Sequence, residues 1–193
     1  PLIDNAILGA ERGSALTQRM LAFARKQDLK LEPVDLPALI RGMIGLLKTS
    51  LGPSIEVEAI FARNLPPILT DANQLETALL NVAVNARDAM PGGGKIKITA
   101  TPTGIEGASP GKLAPGNYIH IAISDTGHGM DQDTLARAAE PFFTTKDIGK
   151  GTGLGLSMVH GLAVQSGGAF NIRSRLGEGA TVELWLREAE GQS

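Results

Sequence analysis

The stretch Ala72–Pro102 reads ANQLETALLNVAVNARDAMPGGGKIKITATP and holds a helix, a break and a strand in that order. Thr70 or Asp71 opens the helix, and Pro91 followed by three glycines stops it. Proline lacks the N–H that a helix interior needs, and the glycines cannot continue it. KIKITATP then alternates as a strand. Inside the helix Asn81 and Asn85 are four residues apart and share one face. Asparagine is a mediocre helix former, so two of them on one face of an otherwise apolar helix need a reason. Their side-chain carbonyls are hard oxygen donors suited to Mg²⁺, which usually keeps several waters and borrows phosphate oxygens. On these residues alone, a pair of solvated or capping asparagines is the alternative.

Upstream, Asp35-Leu36-Pro37 is a helix start, with Asp able to cap and Pro in the first turn, and the helix runs to about Ser50. IEVEAIF alternates as a strand and NLPPIL is a connection. Residues 2–27 carry two adjacent apolar rows, Leu2, Ala6, Gly9, Gly13, Leu16, Met20 and Phe23 beside Ile3, Ile7, Ala10, Thr17, Leu21 and Ala24. So wide an apolar face calls for a partner helix or a second copy of the same one. Downstream, GIEGASPGKLAPGN is a surface loop and YIHIAISD a strand; a short helix follows near DQDTLARAA, and another over LSMVHGLAVQS. The strands AFNIRSR and ATVELWL close the chain. Helices interleaved with strands that end as hairpins read as an α+β fold, a two-layer sandwich.

Composition narrows the function. The chain has 193 residues, 42% hydrophobic and 20% charged, enough for one full core with an appended element. A net charge of −2 and 4% aromatics supply neither a basic footprint nor stacking platforms, so nucleic acid is not an expected partner. Cysteine is absent, which removes disulfides and thiolate metal sites and fits a cytoplasmic location. No apolar run approaches the roughly 18 residues of a membrane span, so no membrane contact is expected of this chain.

The chemistry concentrates after the third strand. SDTGHGM delivers Asp125 from a strand end into a turn punctuated by Gly127 and Gly129. A carboxylate placed there can accept the exocyclic amino proton of adenine, and the glycines let a flat base lie against backbone. PFFTTK brings two aromatics, two hydroxyls and Lys146 to the edge of GKGTGLGLSMVHG, residues 149–161. That glycine run fits neither familiar phosphate grip: Lys150 is followed by Gly151 rather than Ser or Thr, and leucines occupy the place of the last glycine in G-x-G-x-x-G. GEGATVELWL then places Thr181 on a strand.

In this order and spacing the segments resemble the catalytic ATP-binding domain of sensor histidine kinases, in the superfamily that also holds gyrase, Hsp90 and MutL. LETALLNVAVNARDAM looks like the N box, DTGHGM the G1 box, EPFFTTK the F box, GKGTGLGLSMVHG the G2 box and GEGATVEL the G3 segment. LTQRMLAFARKQ followed by VDL is similar to the second dimerisation helix and its link. The resemblance implies a Bergerat-type fold, a mixed sheet covered on one face by helices and preceded by an N-terminal helix. Residues 1–30 would be that helix and 31–193 the ATP-binding domain.

By the same resemblance ATP and Mg²⁺ are the cofactors. Asn85 would be the Mg²⁺ ligand, with Asn81 one turn earlier beside the phosphates, and Asp125 would bond the adenine amino group. Gly127, Gly129 and Thr181 would line the base. Arg87 and Lys146 are candidate phosphate contacts, and Asn81, Asn85 and Lys146 form the catalytic set. Gly151, Thr152, Gly153, Leu154 and Gly155 would be the lid, offering N–H groups to phosphate at a helix N-terminus.

Where related ATPases carry a Glu that activates water, this chain has Asn81, which cannot act as a base, and Glu76 is nine residues before Asn85. That favours transfer to a protein acceptor over hydrolysis. Kinases of this kind phosphorylate a His followed by Glu or Asp; His120, His128 and His160 precede Ile121, Gly129 and Gly161, so all three read as structural or surface residues. The resemblance therefore implies an acceptor His on a first dimerisation helix ahead of Pro1, a homodimer in the full protein and a response-regulator receiver domain as partner. A non-catalytic nucleotide-sensing module, a self-contained ATPase and a serine-kinase relative are the competing readings.

Overall fold

A computed structural model describes residues 29–107, 113–146 and 151–189. The helix expected over 2–27, and with it nearly all of the unit expected over 1–30, lies outside the described residues. So do residues 147–150, including Gly149 and Lys150 at the front of the glycine run, and 108–112 of the expected surface loop.

Among the described residues, seven strands and four helices follow one another: β1 (Glu32–Val34), α1 (Leu36–Leu51), β2 (Ile55–Phe61), β3 (Ile68–Thr70), α2 (Ala72–Asp88), β4 (Gly94–Ile105), β5 (Gly116–Asp125), α3 (Gln132–Arg137), α4 (Gly155–Gln165), β6 (Ala169–Ser174) and β7 (Ala180–Arg187). Three of these four helices start at a side-chain cap. The Asp35 carboxylate accepts the Ala38 N–H at 2.8 Å, Asp71 accepts from Gln74 at 3.0 Å and Asp131 from Thr134 at 2.7 Å. Each satisfies one of the donors that a helix start leaves without an intrahelical partner.

The main sheet has the order β2-β4-β5-β7-β6, with β2 parallel to β4 and every other pairing antiparallel. Successive strand residues point to opposite faces. One face therefore carries Ile96, Ile98 and Ala100 from β4, Ile119, Ile121 and Ile123 from β5, and Val182, Leu184 and Leu186 from β7, all buried. These pack with Ile40, Met43 and Leu47 of α1, Leu75, Leu79 and Val82 of α2, and Val159 and Leu162 of α4 in one cluster. The expected α+β sandwich, a mixed sheet with helices on one face, is the observed fold.

The other face carries a small apolar cluster of Leu113, Tyr118, Ala169 and Trp185 beside polar networks. Lys95 reaches Glu58 at 2.9 Å and Glu56 at 3.5 Å across the parallel pair. Further along, buried Glu183 accepts from Arg173 at 2.8 and 3.0 Å and from Asn171 at 2.9 Å, and lies 3.2 Å from His120, which stacks on Trp185.

One expectation needs correcting. The end of NLPPIL forms β3, which pairs antiparallel with β1 from Glu32↔Thr70 to Val34↔Ile68. Strands of three residues, one with Pro33 at its centre and the other just after the Pro66-Pro67 pair, are too short to show an alternating pattern. Ile68 also bridges to Glu188, and the Ala189 N–H donates to the Pro67 carbonyl at 2.8 Å, so the small sheet closes against the end of β7.

Candidate functional site

Helix α2 is the spine of the site. Its apolar stripe is buried in the core while Asn81 and Asn85 stay half-buried on an adjoining face. Against that face lies the first residue of α4. A Cβ added at Gly155 would sit 3.4 Å from Asn85 Nδ2 and 3.7 Å from Asn81 Cβ, so the start of α4 rests on the two amides. This helix start has no side-chain cap. Its first-turn N–H groups and its dipole make the position favourable for an anion.

Lys146 lies across the same end of the site. Its Nζ donates to Asn85 Oδ1 at 3.0 Å and to Asp88 Oδ2 at 2.6 Å. Asp88 in turn accepts from Arg87 Nε at 3.0 Å and Nη2 at 2.6 Å, while Arg87 Nη1 donates to the Ser50 carbonyl at 2.7 Å. Burial pushes the Asp88 carboxyl up, but the hydrogen bonds from Lys146 and Arg87 outweigh it and hold the group below its ordinary value. Gly151 packs behind Lys146: a Cβ there would come within 2.6 Å of Thr144 Oγ1 and 3.2 Å of the lysine stem. Further along, Gly153 is tied to PFFTTK through backbone, with Phe142 N–H donating to its carbonyl at 2.8 Å. Thr152 Oγ1 accepts from the N–H of buried Leu154 at 3.4 Å.

Just past the end of α2, beside Ala89, the wall is different. Asp125 ends β5, and its Oδ1 accepts from the Gly127 N–H at 2.8 Å and the Ala180 N–H at 3.2 Å. Its Oδ2 has no partner among the described residues. Burial raises the Asp125 carboxyl above the ordinary carboxylate value, against the lowering effect of those two N–H groups and of His128. Glycines frame it closely. A Cβ at Gly127 would meet Ala89 Cβ at 2.7 Å, one at Gly179 (φ +79) would overlap the Asp125 carbonyl, and one at Gly129 (φ +67) would overlap the Arg175 carbonyl. The His128 N–H donates to the Ala89 carbonyl at 3.1 Å, joining this turn to the last residues of α2. Thr181 sits opposite Ser124 in the β5–β7 register and shares a 2.9 Å hydroxyl hydrogen bond with it.

The structure thus gathers the expected residues into two groups joined by α2. Asn81, Asn85, Lys146, Gly151 and Gly155 make one; Asp125, Gly127, Gly129 and Thr181 make the other. Arg87 leans onto Asp88 and the end of α1. Asp88 is the residue that sequence reasoning missed, although its place three residues after Asn85 put it within one helical turn. Glu76 is exposed on α2. His120 belongs to the polar network on the outer face of the sheet, His128 lies 2.8 Å from the Gly129 carbonyl through Nδ1, and His160 is exposed on α4 beside Phe170.

A mixed sheet under one layer of helices, with a strand-end carboxylate framed by glycine backbone and a helix start facing paired asparagines, defines an ATP-binding sandwich of the kinase and gyrase type. The sequence profile of the histidine kinase-, DNA gyrase B- and HSP90-like ATPases matches residues 70–190, and the chain belongs to that family. Its relatives are sensor kinases. It is 41% identical to the sensor kinase CckA of Brucella abortus over 191 residues, covering 96% of this chain and 20% of the relative. It is 34% identical to the sensor histidine kinase ZraS of Escherichia coli K12 over 179 residues, covering 92% of this chain and 35% of the relative. The chain therefore spans about a fifth to a third of these curated relatives. Among solved structures, full-length ShkA in complex with AMPPNP matches with a TM-score of 0.73 at 30% identity, over 97% of this chain and 40% of that one. The mycobacterial sensor histidine kinase MprB matches with a TM-score of 0.62 at 24% identity, over 82% of this chain and 99% of that one, a likeness of fold.

Proposed function

We propose that this chain is the ATP-binding, phosphoryl-donating part of a sensor histidine kinase in a two-component system. The observation that carries the reading is Asp125: one carboxylate oxygen is held by two backbone N–H groups and closely framed by Gly127 and Gly179, while the other has no partner among the described residues. Such an oxygen suits the exocyclic amino group of adenine, and a neutral isostere that presents an N–H there would repel it. The phosphates would lie toward Asn81, Asn85 and the start of α4, within reach of Lys146.

Mg²⁺ fits the donors present. Asn85 Oδ1 is a hard oxygen on which a cationic ammonium already rests at 3.0 Å. Among the described residues no three acidic or His side chains converge, so a metal at Asn85 would draw its remaining ligands from phosphate and water. When bound, it would neutralise charge on the phosphates. Asn81 cannot accept a proton from water, which favours a protein acceptor. The γ-phosphoryl would pass to a His on a dimerisation helix and then to an Asp of a response-regulator receiver domain. The work of the site is positioning and charge neutralisation, in a dimeric cytoplasmic protein. No helix among the described residues is long and apolar enough to cross a membrane.

Calorimetry with ADP tests the adenine contact. Asp125→Asn keeps an oxygen for Gly127 and Ala180 but should weaken ADP by about 100-fold; unchanged affinity would refute the base-binding role. Transfer is tested with γ-labelled ATP and a supplied helical hairpin carrying an acceptor His. Label on that His is expected, whereas ATP binding without label would favour a nucleotide sensor and steady phosphate release an ATPase.

A further inference from the structure

We infer that Asp88 is a positioning residue, which fixes the Lys146 ammonium beside Asn85 so that it meets the phosphate chain of the nucleotide. The inference rests on the proposed reading of Lys146 as a phosphate contact and adds the group that aims it. A lysine reaches its target on a flexible four-carbon stem, and an unanchored ammonium loses rotamer entropy on being held in one place. Here the stem is clamped at both ends. Gly151 lies against its Cβ and Cδ, and Nζ bridges Asn85 Oδ1 at 3.0 Å and Asp88 Oδ2 at 2.6 Å.

Asp88 is itself oriented. Arg87 holds its Oδ1 through two N–H groups at 3.0 and 2.6 Å and is braced by the Ser50 carbonyl at 2.7 Å, leaving Oδ2 for the lysine. The Lys146 and Asp88 side chains are 31% and 29% exposed, so the pair is shielded more than an ordinary surface ion pair yet still reachable from the site. Asp88 lies one helical turn beyond Asn85, so α2 fixes the spacing between the amide and the anchor. The order of action is then Arg87 on Asp88, Asp88 on Lys146 and Lys146 on phosphate, with Arg87 making no phosphate contact of its own.

The test compares ADP with adenosine, which lacks phosphate, by calorimetry in excess EDTA, so that metal plays no part. Lys146→Met and Asp88→Asn should each weaken ADP by about fivefold to tenfold, while adenosine stays within about twofold of wild type. The double variant should bind ADP no more weakly than Lys146→Met alone, because two residues acting through one contact are not additive. Asp88→Asn that keeps wild-type preference for ADP, while Lys146→Met loses it, overturns the inference and leaves the phosphate reading of Lys146 intact. Lys146→Met without effect overturns both. Asp88→Asn that weakens ADP and adenosine alike marks a structural role and also overturns the inference. Thermal melting of each variant checks the fold, and should Asp88→Asn not fold, Arg87→Met supplies the same comparison by releasing Asp88.

Discussion

The two ends of the site, both beside the C-terminal half of α2, are built in different ways. At the end beside Ala89, just past the helix, the wall is main chain: Gly127 against Ala89, Gly129 against Arg175, Gly179 against Asp125, with N–H groups holding the carboxylate. At the end lined by Asn81, Asn85 and Asp88 the wall is made of side chains, and the central contact is an ammonium shared by an amide and a carboxylate. Backbone packed at that distance has no alternative arrangement, so the first wall is complete once the chain has folded. Long polar side chains can exchange partners, so the second can rearrange. On the proposed function, the base would meet a fixed template and the phosphates an adjustable one.

The largest expected effect tests how rigid the template is. Gly179→Ala places a methyl group on the Asp125 carbonyl and forces φ +79 on a residue with a Cβ. The loss of stability should be about 3 kcal/mol or more in urea unfolding. A loss below about 1 kcal/mol would show that the backbone wall yields, and the contrast between the two ends would fall with it. The equivalent insertion at the other end, Gly155→Ala, meets its nearest atom at an ordinary 3.4 Å and should leave stability nearly unchanged.

A smaller effect comes from the charge inside the template. Burial raises Asp125, and under the proposed adenine contact the amino group would need the ionised form. ADP affinity should therefore be flat at neutral pH and fall as pH drops through the raised carboxyl, by at most about tenfold per unit. The stability contribution of the same group has the opposite sign. Its folded value lies above the unfolded one, so without nucleotide its contribution is fully present below the unfolded value and lost as pH rises through the folded value. Measured as the difference between wild type and Asp125→Asn, affinity and melting temperature should move in opposite directions across this window. Parallel changes would show that Asp125 acts on folding rather than on the ligand.

The template end was the more legible in sequence, and the reason is distance along the chain. Asp125, Gly127 and Gly129 fall within five residues, and a strand-end acid followed by spaced glycines has a local meaning. The same holds for α2, with its cap at Asp71 and the Pro91 stop, and for the alternation of β5 and β7. The other end joins residues far apart. Lys146 is 58 residues from Asp88, and Arg87 is 37 from Ser50, so nothing in a local pattern pairs them. Arg87 read as a candidate phosphate contact through the family resemblance; its turn toward Asp88 is decided by where α1 ends. The β1–β3 pair escaped for a related cause, since three-residue strands are defined by their partner rather than by their own sequence.

The smallest expected effect asks whether α2 transmits strain between its start and the site. Asp71 caps the helix through Oδ1 to the Gln74 N–H, and its Oδ2 accepts the Lys30 N–H at 3.1 Å. Asp71→Ala should cost about 1 kcal/mol of stability. Asn81 lies about 15 Å further along the helix axis, beyond the first turn in which a cap acts. The residues between, Leu75, Ala78 and Leu79, are buried in the core and hold the helix in place whatever happens at its start. ADP affinity in Asp71→Ala should therefore stay within about twofold of wild type by calorimetry, even as the unfolding midpoint falls. An affinity loss that tracks the stability loss would mean that α2 moves as a lever, and that the backbone template and the side-chain end are not independent.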